Sequence, residues 1–391
     1  MWSTPAEINC HTDGLGLSPI MNLKSIIIRW QSLLSGVLDA PAGRDPSRRQ
    51  QVLALVVFAT LTVLYTHPLL LDVSTHVPGM ADILEEFEDA SLQSWYPWRV
   101  RSAVLEPGEE LLHSNWVFHP AGMEMTMQPT MFLHGLMTVP LAWLGFTTAN
   151  NIVILVSFCL SGFTAFLLAM YVLRSMPAAL LAGFIFAFCP YKFQHLAGHY
   201  HLMATETLPM VALSLLLHDT PTLRRALWTS IWLSVTILTS YYYFVFALLM
   251  VGGFTVFRAL AERSLGPLKW TALLGVMSLI GSSPVLLPAL KTASTSDYSF
   301  GSEHDSLKAD LLSFVVPSDR QWVSAPILSI KHQVFDMAGI DGVEPSVYVG
   351  LGVLLLCVLS ARTGWQTRPT CGSGCWAPHF SCCWRWDQAC G

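Results

Sequence analysis

Apolar residues come in long uninterrupted blocks, at 52–71, 150–173, 177–193, 203–218, 226–241, 243–261, 268–290 and 346–361. Each approaches the roughly 20 residues that a helix needs to cross the hydrocarbon of a bilayer. The pattern predicts an all-α polytopic membrane protein with about eight transmembrane helices. A further block, 128–146, is apolar but holds Pro129, His134 and Pro140. Positive charge decides its status, because short cytoplasmic loops collect Lys and Arg. With Arg44, Arg48 and Arg49 in the cytoplasm, a non-spanning 128–146 keeps Arg174, Arg224–Arg225, the Arg258/Arg263/Lys269 group and Arg362/Arg368 on the inner side. The block is therefore read as an interfacial or re-entrant helix. Three outer features follow: a long first loop (72–149), a short loop around 191–203 and a late loop (291–345). The expected location is the plasma (inner) membrane, multi-pass, with a cytoplasmic N-terminus and no cleavable signal peptide.

Composition narrows the class. Of 391 residues, 53% are hydrophobic and 12% charged, against roughly 25% charged in a soluble domain. A net charge of -5 lacks the basic field that nucleic-acid binding calls for. Disordered chains and disulfide-stapled mini-proteins are excluded as well. The expected organisation is a cytoplasmic segment (1–51), a transmembrane domain (52–361) and a Cys/Trp-rich tail (362–391). Met21 opens a more convincing N-terminus than Met1. Of nine cysteines, Cys371, Cys375, Cys382, Cys383 and Cys390 crowd the tail. Their spacing is poor for a structural zinc site. Read one frame over, Cys and Trp codons contribute to Leu, Val or Met codons, and one permissible back-translation of 370–391 is an apolar span. The tail is thus expected to be a frameshift product, with further native spans beyond it.

The predicted spans hold almost no Asp, Glu, Lys or Arg near their centres, where a secondary transporter would place coupling groups. Polar chemistry collects instead on the outer loops. The first loop carries Asp82, Glu85, Glu86, Glu88 and Asp89, followed by Trp95 and Trp98. This reads as a surface helix at headgroup depth, or alternatively as a solvated helix start where acids favour the dipole. A second cluster runs from Pro190 through Lys192, His195, His199 and His201 to Glu206. His195 and His199 share a helical face. A divalent metal held by them with Glu206 is one reading; interfacial packing of the histidines is the plainer one. Glu206 reads as lying near the outer end of a span, a costly place for an acid and so a functional candidate. The late loop is acidic. Its stretch 309–317, with Asp310, is a short amphipathic segment, and Glu344 precedes the last block. Tyr241, Tyr242 and Tyr243 read as an aromatic belt, with a sugar-flanking role as the alternative.

Four stretches together resemble the bacterial multi-span GT-C glycosyltransferases, in particular their uncharacterised, YfhO-like membrane members. They are Glu88-Asp89 to Trp98; His119-Pro120-Ala121-Gly122; Phe188-Cys189-Pro190-Tyr191-Lys192-Phe193 running into His195–His199; and Ala309-Asp310-Leu311-Leu312 to Pro317 with Glu344 to Gly350. The resemblance covers about 52–361. It implies a GT-C-like bundle that transfers sugar from a polyprenyl-phosphate donor to a glycan or lipid acceptor at the outer face. A first-loop acid would be the base. The family's usual Gly-Asp is Glu88-Asp89 here, so Asp89 is the best match, with Glu88 beside it and Asp82 as fallback. Arg99, Arg101 and Lys192 would help the leaving phosphate, and His195, His199, His201, Glu206, Asp310 and Glu344 would line the substrate cavity. The alternatives are a lipid or polysaccharide transporter or flippase, and an inactive fragment of a glycosyltransferase.

Overall fold

The computed structural model describes residues 46–79, 84–217, 222–295, 311–317 and 347–366, and they are mostly helical. Contacts divide the chain into two units, Met1–Phe188 with His195–Ser299, and Cys189–Gln194 with Phe300–Gly391.

In the first unit, α1 (Arg48–Tyr65) starts at a capping box: Gln50 N–H donates to Ser47 Oγ, and Ser47 N–H donates to Gln50 Oε1. Ala54, Phe58 and Thr62, four residues apart, form its buried face. A short α2 (His67–Leu71) leads to α3 (Leu84–Leu105), which carries Pro97 internally. A small hairpin follows, β1 (His113–Ser114) antiparallel to β2 (Met123–Glu124), with His113 opposite Glu124. Then come α4 (Phe132–Thr138), a 3-10 turn at Val139–Leu144, α5 (Phe146–Leu173) and α6 (Met176–Ala187). The helix α7 (Pro190–Leu196) straddles the two units. Short α8 (Tyr200–Met203) and α9 (Leu208–Leu216) precede three longer helices, α10 (Leu223–Thr239), α11 (Tyr241–Glu262) and α12 (Gly266–Thr295).

Four stretches among the described residues are long and apolar enough to cross a membrane: α5, α6 continued through α7 (Met176–Leu196), α11 and α12. The other expected spans come out shorter. The blocks at 226–241 and 346–361 give helices of 17 and 16 residues. The block at 52–71 is split between α1 and α2. The one at 203–218 is not a continuous helix: only Leu208–Leu216 is helical after a break at 204–207. Phe132–Leu144 is 13 residues of α- and 3-10 helix, and Pro140 falls in its second part. At about 1.5 Å per α-helical and 2.0 Å per 3-10 residue it rises roughly 22 Å, short of the ~30 Å hydrocarbon.

Packing uses small residues where backbones approach, as expected where lipid supplies no hydrophobic drive between helices. α5 lies against α6, α1 and α9. The Phe58 ring of α1 sits over Gly162 of α5 and Gly183 of α6, where a Cβ on either glycine would overlap it. On the other side, α10 and α12 meet through Ser230 Oγ donating to the Leu274 carbonyl (3.1 Å), and Gly281 lies against Ser234. Val211, Leu233, Ile237, Phe244, Val251 and Leu274 fill the core between α9, α10, α11 and α12.

In the second unit, Val349 N–H donates to the Phe314 carbonyl (3.2 Å) and Tyr348 is buried. Gly350, at φ 95°, lies against Pro190 and opens α13 (Leu351–Gln366).

Candidate functional site

The first-loop helix α3 buries Ala90, Gln93, Tyr96 and Val100 at helical spacing, and packs on α4. That register leaves Asp89, one residue off the buried stripe, half-exposed. Its Oδ2 lies 3.4 Å from His199 Nε2, on the turn between α7 and α8. His199 is flanked by His195 and His201, with ring centroids at 5.7 and 6.1 Å. His201 is buried, its ring is 5.6 Å from that of Tyr242, and its Nδ1 is 3.0 Å from Gln93 Oε1. The Gln93 oxygen accepts from His201 Nδ1–H. Asp89, His195, His199 and His201 are thus brought together.

Other expected residues lie elsewhere. Arg99 and Arg101 are ten and twelve positions further along α3, about 15–18 Å in helical rise. Arg99 is fully buried and held by the first loop. Its Nε donates to Ser114 Oγ (3.1 Å), and its Nη2 to the Glu110 and His113 carbonyls (2.7 and 2.9 Å) and to Glu109 Oε2 (2.9 Å). Arg101 donates to the Ala142 carbonyl (2.9 Å) over the Phe146 ring. These guanidiniums pin the loop and the start of α5. Lys192 is buried and belongs to the second unit. Asp82, Asp310 and Glu344 lie outside the described residues, as does the tail from 367. For Glu88 only its helical position in α3 is described.

Glu206 forms a separate, deeper cluster. It sits in the break between α8 and α9, beside the polar stripe Ser157, Ser161 and Thr164 of α5. Ser157 Oγ donates to Glu206 Oε2 (2.7 Å), Thr164 Oγ1 donates to the Glu206 carbonyl (2.9 Å), and the Ser161 and Thr205 hydroxyls are 3.3 Å apart. His134 Nε2 closes on Glu206 Oε1 at 2.8 Å, with the two side chains only 2% and 8% exposed. Ser157 and Thr164 lie about 17 and 27 Å along α5, whose full length is about 42 Å. Glu206 is therefore near the middle of a membrane-length helix, not at a span's outer end as the sequence suggested. The unwound backbone at 204–207 explains the difference, because it lets the chain enter without completing helical turns. The Tyr171 hydroxyl, near the far end of α5, donates to the Leu216 carbonyl (3.2 Å), so α9 runs along α5 to that end.

His134 was missed as a site residue. The signal was present: an ionisable side chain in an otherwise apolar segment needs a partner. The sequence could not name that partner, because Glu206 is 72 residues away. Among the described residues, no group of three or more His, Cys, Asp or Glu is arranged to hold a metal ion.

The fold and these clusters define a helical protein with membrane-length helices, a half-open carboxylate–imidazole pair and a buried one. Residues 111–384 match the family described as "Domain of unknown function (DUF6311)", and the chain belongs to that family. No curated protein and no solved structure matches it.

Proposed function

We propose that this chain is a membrane glycosyltransferase of the GT-C type that takes sugar from a polyprenyl-phosphate donor at the outer face of the plasma membrane. The observation that carries the reading is the half-exposed Asp89 carboxylate beside His199. One carboxylate oxygen faces the imidazole, and the other is free to take the proton of an acceptor hydroxyl. As that O–H breaks, the acceptor oxygen bonds to the anomeric carbon, and the bond from that carbon to the phosphate oxygen breaks. Polyprenyl phosphate leaves with the electron pair. Since Arg99 and Arg101 are spent on carbonyls and Glu109, His199 is the group beside Asp89 that can carry positive charge toward that phosphate. The reading extends the four membrane-length helices to eight crossings by adding α1, the broken α8–α9 stretch, α10 and α13.

The test is transfer in proteoliposomes, followed as release of polyprenyl phosphate from a lipid-linked hexose donor. Asp89→Asn should lower the rate by about 10²–10⁴, the usual worth of a general base, with the protein still inserted. Unchanged turnover would remove the assignment.

Glu206 favours a second reading. A carboxylate at a helix break, halfway along a membrane-length helix and paired with His134, is the kind of group that ion-coupled transporters use. Uptake of a lipid-linked sugar into donor-free vesicles, lost in Glu206→Gln and retained in Asp89→Asn, would favour transport over transfer.

A further inference from the structure

The first loop contains a pocket that the Asp89 chemistry does not use. Its volume is about 370 Å³, within the roughly 300–1,000 Å³ of small-molecule sites, and Arg99, Gly108, Glu109, Glu110, His113, Asn115 and Trp116 line it. Its polar groups are held in fixed orientations. Trp116 Nε1 donates to Glu109 Oε1 (3.2 Å), and the Trp116 ring stands edge-on to Trp98, with centroids 5.2 Å apart at 83°. The indole is nevertheless more than half exposed. His113 is bracketed by two acceptors, Glu124 Oε1 (3.0 Å) and Asn115 Oδ1 (3.1 Å). Beneath them Arg99 is fully buried. Its Nη1 has no hydrogen-bond partner among the described residues.

The loop's backbone is shaped for this arrangement. Gly122, in the His119-Pro120-Ala121-Gly122 stretch, has φ 73°, and a Cβ there would run into the His113 ring and the Asn115 amide. Only a glycine satisfies both the left-handed conformation and the close approach. The glycine therefore lets His113 and Asn115 stand at the pocket wall.

We propose that this pocket is a saccharide-binding site. The donor set selects for hydroxyl-rich ligands. Carboxylates and an amide accept and donate to hydroxyls, while an exposed, fixed indole face covers the apolar C–H face of a pyranose at little entropic cost. Glu109 is ion-paired with Arg99 and Glu110 adds a further carboxylate to the lining, so the pocket has no net positive charge to hold a free phosphate or a carboxylate ligand. The occupant is a neutral mono- or disaccharide unit, free or at the end of a glycan. The site stands without the transfer chemistry. Its further role, holding a distal unit of the acceptor glycan about 15 Å along α3 from Asp89, rests on the proposed function.

The experiment is saturation-transfer NMR on the full chain in nanodiscs. The probes are glucose, galactose, mannose, N-acetylglucosamine, maltose, cellobiose and chitobiose, with inorganic phosphate as a separate arm. At least one sugar should bind saturably. Trp116→Ala should weaken it tenfold or more, and Trp116→Phe by less. Trp116 is exposed, so these variants keep the fold, which a melting curve checks. Gly122→Val should also abolish binding. Binding is read without donor and without turnover, so a failure of the transfer reading is distinguishable from a failure of this one. Saturable binding of none of these sugars, equal binding by Trp116→Ala, or displacement of bound sugar by phosphate would overturn the proposal.

Discussion

Asp89 and His199 touch at 3.4 Å although two membrane-length helices, α5 and the α6–α7 stretch, lie between them in the chain. On the proposed topology these two crossings return the chain to the side it left, whereas a third would separate the residues by the thickness of the bilayer. The proposed topology therefore has 128–146 not crossing, and its helical stretch is 13 residues long. Single cysteines at 89 and 199 should react with a membrane-impermeant maleimide from the same side in intact spheroplasts. A cysteine at Ser175, in the turn between α5 and α6, should react only after permeabilisation.

The His134–Glu206 pair should behave asymmetrically under mutation. His134→Ala leaves a buried carboxylate without its imidazole, and breaking a buried pair from one side costs about 3–5 kcal/mol. Glu206→Gln removes the charge but keeps the shape and an acceptor for Ser157, so it should cost less. Denaturant unfolding in detergent, read by tryptophan fluorescence, gives both values. Equal losses would mean that the carboxylate charge is not what the imidazole compensates.

Phe58 and the glycines beneath it should couple. Gly162→Ala or Gly183→Ala inserts a methyl group into the ring, and overpacking of this kind costs about 1–3 kcal/mol. Phe58→Ala opens a cavity worth about 3–5 kcal/mol. The double variant Phe58→Ala/Gly183→Ala should lose less than the sum of the single losses, and a double-mutant cycle on thermal unfolding checks this. Strict additivity would show that the ring does not depend on the missing Cβ.

The first-loop histidine should respond to pH. His113 has its pKa raised, first by the hydrogen bond to Glu124. Its contribution to stability is complete below the unfolded value near 6.5 and is lost as pH rises through the folded value. Glu124→Gln should move the His113 titration, followed by NMR of labelled histidine, back toward 6.5.

The sequence by itself determined the helical class and the presence of helices long and apolar enough to cross a membrane, because long apolar blocks have few other ways to satisfy their backbone in lipid. It also determined where α5, α6, α11 and α12 lie, and that 128–146 is interrupted by prolines. It singled out Asp89, His195, His199, His201 and Glu206 by their residue types. Only the tertiary structure decided which of these meet. A contact such as Asp89–His199 or His134–Glu206 is made by packing between distant segments, and no local spacing encodes it. The break at 204–207 was hidden for the same reason. Ala204, Thr205 and Thr207 are compatible with helix, and the hydroxyls of α5 with His134 supply the partners that make the unwound form favourable. The fates of Arg99 and Arg101 were likewise invisible, because a guanidinium aimed at a phosphate and one aimed at backbone carbonyls are the same letter in the chain.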